Sequence, residues 1–195
     1  DGNPQELQDA LIQKDNHEDT LLHYAAMSGN LEVVKALIAS LQQAFDGNLQ
    51  GLQKALIQRD NSNKAPLHYT AANNNPEVAS TLLAAFQRAF DGDQTELQKA
   101  LTQRDNRNKA PLHYTAENNN PEVASTFLAL LRRAFDSNLQ GLQDALTQSD
   151  NDRMVPLHYT ALNNNLEVMR TLLASLQQAF NGNQQRLQDA LIQRN

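Results

Sequence analysis

The tripeptide Leu-His-Tyr occurs at Leu22-His23-Tyr24, Leu67-His68-Tyr69, Leu112-His113-Tyr114 and Leu157-His158-Tyr159, each 45 residues after the last. The segment Leu-Gln-(Asp/Lys)-Ala-Leu recurs from Leu7, Leu52, Leu97, Leu142 and Leu187 at the same interval. Between residues 50–94 and 95–139, 33 of 45 positions are identical without a gap. Self-similarity of this kind constrains the fold more than composition does. It means one supersecondary unit that buries its apolar face only by stacking on copies of itself. The chain therefore reads as a single repeat domain, 1–195, with four repeats at about 5–49, 50–94, 95–139 and 140–184 and a partial repeat at 185–195. The abundance of Asn and Gln, 22 and 21 residues of 195, could signal low complexity. Here it is largely the repeat copied, in caps, turns and exposed helix faces.

Each repeat contains three helical stretches. The first runs from Pro66 to about Asn73, with proline at its first position, where a missing N–H costs nothing. It ends at Asn73-Asn74-Asn75, where Asn74 takes the place of Gly29 in the first copy and is expected to adopt the left-handed C-terminal cap. The second runs from Pro76 to about Phe90, with Asn75 as N-cap and Glu77 in the first turn. Its residues Val78, Leu82, Leu83, Phe86 and Phe90 bury one face. Asp91-Gly92-Asp93 stops it. A third, from about Thr95 to Gln103, carries Leu97, Ala100 and Leu101 on one side, and at this length must be held by packing. The predicted fold is all-α, a solenoid of helix–turn–helix units with an extra short helix per repeat.

The stretch Asp60-Asn61-Ser62-Asn63-Lys64-Ala65-Pro66-Leu67-His68-Tyr69-Thr70-Ala71 resembles the turn and first helix of an ankyrin repeat, whose consensus reads Asp-x-x-Gly-x-Thr-Pro-Leu-His-x-Ala-Ala. In the first copy, Ala25-Ala26-Met27-Ser28-Gly29-Asn30-Leu31-Glu32-Val33-Val34-Lys35-Ala36-Leu37-Ile38 is similar to the second half of that consensus almost position for position. The matching parts cover about three quarters of the chain. The family period is about 33 residues, so each copy carries roughly 12 more, placed in a longer second helix and the added third. The consensus threonine survives only at Thr20 and becomes Ala65, Ala110 and Val155, losing the hydroxyl that normally braces the neighbouring histidine. Leu21 replaces the consensus proline in the first copy. The turn glycine is replaced by Glu18, Asn63, Asn108 and Arg153; asparagine adopts positive φ easily, Glu18 and Arg153 less readily. These changes leave the hairpin-like geometry of the turn open, though not the stacking. The three-helix armadillo/HEAT unit, of similar length, is the alternative architecture.

Several classes of chemistry are excluded or disfavoured. A net charge of −6 without a basic cluster argues against nucleic-acid binding. No apolar run reaches the roughly 18 residues of a membrane span, and there is no cysteine for a disulfide, thiolate site or nucleophile. His23, His68, His113 and His158 are periodic, and stacked helices lie about 8–10 Å apart, so they form a row and do not converge on one zinc. Tyr24, Tyr69, Tyr114 and Tyr159 form a parallel row, read as packing. The turns at Asp46-Gly47-Asn48, Asp91-Gly92-Asp93, Asp136-Ser137-Asn138 and Asn181-Gly182-Asn183 lack the alternating oxygens and distal glutamate of a calcium loop and read as caps. Ser80 and Ser125 copy a position held elsewhere by Lys35 and Arg170, so neither suits a unique nucleophile. No catalytic residues, metal, cofactor or small-molecule substrate are expected.

Positions alike in every copy hold a stack, and those that differ are free to face a partner. The differing positions fall at the turns and the end of the first helix: His17, Glu18 and Asp19; Ser62, Asn63 and Lys64; Arg107, Asn108 and Lys109; Asp152, Arg153 and Met154; and Met27, Ala72, Glu117 and Leu162. The resemblance implies that these places contact a protein partner, across a groove acidic at the first turn, basic at the middle two and mixed at the last. The candidate contacts are His17, Asp19, Met27, Ser62, Lys64, Arg107, Lys109, Glu117, Asp152, Met154 and Leu162. The expected function is a non-enzymatic protein–protein interaction module or scaffold in the cytoplasm; such near-identical copies also resemble arrays in effector or scaffold proteins of intracellular bacteria. The alternative is an architectural spacer or assembly segment. Leu187-Gln188-Asp189-Ala190-Leu191-Ile192 keeps the internal pattern where a polar cap would differ, so the chain is expected to be a piece of a longer multi-repeat protein or a trimmed form of one.

Overall fold

The computed structural model describes residues 4–192, and among these every regular element is an α-helix. After α1 (Pro4–Ile12), the chain makes α2 (Leu21–Ser28), α3 (Leu31–Ala44) and α4 (Leu49–Leu56). It continues with α5 (Pro66–Ala72), α6 (Pro76–Ala89) and α7 (Gln94–Thr102), then α8 (Pro111–Glu117), α9 (Pro121–Ala134) and α10 (Leu139–Thr147). The last three are α11 (Pro156–Leu162), α12 (Leu166–Ala179) and α13 (Gln184–Ile192). First helices α2, α5, α8 and α11 pack in one row and second helices α3, α6, α9 and α12 in another. The third helices α4, α7 and α10 lie against the second helix of the following layer, α6, α9 and α12, and α13 lies against α12.

Local chemistry accounts for the helix bounds. Asn75 accepts hydrogen bonds from the N–H groups of Glu77 and Val78, and Asn30 and Asn120 do the same for α3 and α9, satisfying donors that the first turn leaves open. Asn48, Asp93, Asn138 and Asn183 each accept the N–H three residues on and start the third helices. The second helices contribute most of the core: Val78, Leu82 and Phe86 are wholly buried, and Phe86 stacks on Phe90 with ring centroids 5.9 Å apart. Leu97, Ala100 and Leu101 of α7 are buried too, the packing that a nine-residue helix requires.

The junction after the first helix departs from the expected left-handed cap. Gly29 and Asn164 adopt positive φ, at 65° and 56°, but Asn74 and Asn119 do not. The two left-handed layers are those in which Leu31 and Leu166 stand where the others have Pro76 and Pro121. The residue just before these positions is extended in both arrangements, Asn30 before leucine as much as Asn75 and Asn120 before proline, so the difference is confined to the middle of the tripeptide. The first asparagine of the tripeptide bridges layers in either arrangement, and Asn163 donates to the Glu117 carbonyl at 3.2 Å. The Asn73 amide donates to the carbonyls of Ala26 and Met27, and Asn118 to those of Ala71 and Asn73.

Candidate partner-binding surface

Every turn is built around one aspartate. In the second layer, Asp60 Oδ1 accepts the N–H groups of Ser62 at 2.7 Å and Lys64 at 2.9 Å, while the Tyr69 hydroxyl donates to Oδ2 at 2.5 Å. Asp15 with Tyr24, Asp105 with Tyr114 and Asp150 with Tyr159 repeat the arrangement. Each turn closes with paired backbone bonds, Asp60 N–H to Lys64 O at 2.9 Å and Asn63 N–H to Asp60 O at 2.9 Å. With both carboxylate oxygens occupied, the turn is determined whatever its tip carries. Glu18 and Arg153 therefore adopt the same positive φ, 63° and 60°, as Asn63 and Asn108, and the geometry left open by their identity is retained. Consecutive turns join in a ladder: the N–H groups of Asn61, Asn106 and Asn151 donate to the carbonyls of His17, Ser62 and Arg107, each at 3.0 Å.

The histidines take their brace from the backbone. Nδ1 accepts the N–H of Thr20, Ala65, Ala110 or Val155 at 3.0–3.1 Å; Thr20 adds its hydroxyl at 2.9 Å. Loss of the threonine thus leaves the main contact intact. An Nδ1 that accepts puts the proton on Nε2, which meets Lys64 O from His23 and Gln103 O from His68, both at 3.1 Å. Each imidazole also meets the tyrosine of the next layer edge to face, His23 with Tyr69, His68 with Tyr114 and His113 with Tyr159, at 5.9–6.0 Å. Burial pushes His68 and His113 down to about 4 and lowers His23. Burial also raises the phenols of Tyr69, Tyr114 and Tyr159, each further raised by the aspartate it bonds.

Two lysines sit between these tyrosines. Lys64 Nζ lies 5.1 Å from the Tyr69 centroid and 4.7 Å from that of Tyr114. Lys109 Nζ lies 5.5 Å from Tyr114 and 4.1 Å from Tyr159, and pairs with Glu117 at 2.5 Å. Such positions combine cation–π attraction with a carboxylate. They also separate the candidate contacts into two rows. His17, Ser62, Arg107 and Asp152 form an exposed outer row along the ladder. Asp19, Lys64 and Met154 lie half-buried behind it, while Met27 and Leu162 are exposed at the ends of their first helices. Lys109 corrects the sequence reading: its side chain is 8% exposed, its charge is spent on Glu117 and two rings, and it is not free to meet a partner. Glu117 is committed by the same bond.

Asp19, His23 and Asp60 bring ligand-type atoms within 4.8 Å of one another. Both nitrogens of His23 and both oxygens of Asp60 already have protein partners, so the trio is not a free ligand set. A surface hollow of about 580 Å³ is an open groove between α6 and α9 whose lining includes Ser80, Ala84, Ser125 and Arg133. Ser80 and Ser125 spend their hydroxyls on helix carbonyls there, and no base faces them within the lining. The aspartate braces were missed in the sequence, although their signal, an Asp nine residues before each Tyr, is present in all four copies.

Helical layers joined by a hydrogen-bonded ladder of turns define a repeat solenoid. A family model for ankyrin repeats (3 copies) matches residues 2–93 and 86–186, and the chain belongs to the ankyrin-repeat family. Ankyrin repeats are generally protein–protein interaction modules. No curated protein matches the chain. Among the described residues, no helix is long and apolar enough to cross a membrane.

Proposed function

We propose that the chain is a non-enzymatic interaction module that holds a protein partner along its turn tips and the adjoining ends of its first helices. The observation that carries this reading is the coincidence of variation and exposure. His17, Ser62, Arg107 and Asp152 differ from copy to copy, while the carboxylates and tyrosines that hold them do not. One side chain is presented per layer on a backbone whose geometry is the same each time. Exposed, differently charged groups on a preorganised backbone bind without first paying to order a loop. Cytoplasmic residence fits a chain of this kind, which uses no disulfide in its stack. The test is affinity capture with the wild-type chain and with a Ser62→Glu, Arg107→Glu, Asp152→Lys variant of the same helicity. A partner held by the tips is lost with the variant; an identical set of captured proteins would falsify the reading.

A second reading, an assembly segment of a larger array, is favoured by the end layers. Val33 is 49% exposed where its counterparts Val78 and Val168 are fully buried, and Leu162 and Leu166 are exposed on the last layer. Sedimentation velocity over a wide concentration range distinguishes the two: end-to-end growth supports assembly, and a single invariant species counts against it.

A further inference from the structure

In the second and third layers a lysine ammonium occupies the gap between successive tyrosines. Lys64 fills the gap between Tyr69 and Tyr114, and Lys109 that between Tyr114 and Tyr159. The corresponding position in the first layer, 45 residues before Lys64, is Asp19. The gap between Tyr24 and Tyr69 thus has both rings and a carboxylate but, among the described residues, no lysine between them. Among the described residues nothing pairs with Asp19: its Oδ1 is buried without a hydrogen-bond partner. The nearest lysine in sequence, Lys14, is engaged by Glu18 and by the Arg59 carbonyl, each at 2.8 Å. The third layer shows the complete set, with two rings, an ammonium and the carboxylate of Glu117 at 2.5 Å. The first layer lacks that ammonium and has Met27 at the place of Glu117, so its carboxylate, Asp19, stands at the lysine's own position instead.

We infer that Asp19, Tyr24 and Tyr69 form a receptor for a lysine ammonium presented by the bound partner. The inference rests on the partner-binding reading above and names the chemistry one end of the surface selects. Three features support it. Tyr24 is 48% exposed, where Tyr159 at the far end of the row is 5% exposed. The rings are fixed, since each hydroxyl is held by its turn aspartate at 2.5–2.6 Å. Burial raises the pKa of Asp19, the neighbouring His23 works against that rise and Asp60 adds to it, so a cation beside the carboxylate is favoured. An ammonium entering there gains the two ring faces and relieves a carboxylate that is partly desolvated. Met27, at the position of Glu117, stands exposed on the same first helix and offers apolar surface to a lysine stem.

The test uses acetyl-tetralysine-amide as probe, titrated into the full chain, with binding measured calorimetrically and tyrosine ring protons followed by NMR. The Nε-acetylated peptide is the neutral control. The Tyr24 and Tyr69 resonances move and those of Tyr159 do not; acetylation removes the effect. Asp19→Asn weakens binding by about tenfold, whereas Asp136→Asn, the same change of net charge at an exposed residue far along the stack, leaves it unaltered. Asp19→Lys supplies the ammonium in cis, abolishes probe binding and raises the melting temperature. Binding that survives Asp19→Lys, or that responds equally to Asp19→Asn and Asp136→Asn, reflects general attraction to an acidic protein and overturns the inference. If the turn-tip variant loses its partner while Asp19→Asn changes neither partner nor probe, this receptor fails and the binding surface stands. If the turn-tip variant keeps the partner and Asp19→Asn releases the probe, the reverse holds.

Discussion

Lowering the pH from 7 to 5 should destabilise the stack through two buried histidines. His68 and His113 are neutral in the folded chain because burial holds their pKa at about 4, against 6.5 for the unperturbed group. Between those values the unfolded chain binds protons that the folded chain refuses, so stability falls as pH falls through this window. It is complete above about 6.5 and stops declining near 4. Working the linkage at pH 5 gives a loss of about 2 kcal/mol per histidine, roughly 4 kcal/mol for the pair. With a urea slope of about 2 kcal/mol/M the unfolding midpoint falls by about 2 M. Far-UV circular dichroism in urea at pH 7, 6 and 5 measures this. The variant His68→Gln starts less stable and shows about half of the wild-type pH slope. An unchanged midpoint between pH 7 and 5 refutes the argument. So does a loss confined to pH below 4, where lowered carboxylates act: Asp15, held down by the Tyr24 hydroxyl, and Asp150, whose burial is outweighed by its bonds to Tyr159 and the turn N–H groups.

The turn aspartates and tips make two further tests. Asp105→Ala leaves the Tyr114 hydroxyl and the N–H groups of Arg107 and Lys109 without their acceptor and should cost about 3 kcal/mol. Asp15→Ala, in the exposed first turn, should cost clearly less, and thermal melts showing equal losses would contradict the role given to burial. Arg153→Gly relieves a long side chain at φ 60° and should stabilise by about 1 kcal/mol; a lower melting temperature would show that the arginine makes up the strain through contacts of its own.

Legibility in the sequence tracked the range of the interactions. Helix bounds came out within a residue or two because they depend on neighbours: Pro66 and Pro76 at first positions, Asn75 and Asp93 as caps. Layering followed from the period alone. What stayed hidden was set by groups distant in the chain or by combinations of local rules. Glu18 and Arg153 look wrong for a left-handed turn when judged alone, and Asp15 and Asp150 hold them there with bonds that residue preference does not encode. Asn74 looks right for a left-handed cap, yet it and Asn119 stay out of that region in the layers that have Pro76 and Pro121 two residues on. Lys109 reads as a surface charge in a polar turn. Its burial follows from Tyr159, a residue of the next layer 50 positions away, closing over it. The candidate surface was located by comparing copies, but its division into an exposed row and a packed row needed coordinates.

The added third helix changes the mechanics of the array. Gln8, Gln53, Gln98 and Gln143 each donate from a third helix to the last-turn carbonyl of a second helix, at Ala44, Ala89, Ala134 and Ala179. Together with the turn ladder at the opposite edge, every layer is pinned at both ends of its long axis. A stack pinned along one edge can fan open like a book; one pinned along two edges resists both bending and torsion. The pitch between turn tips is then a stiff constant of the molecule, and a partner that grips several tips must match that spacing, because the array will not stretch to meet it.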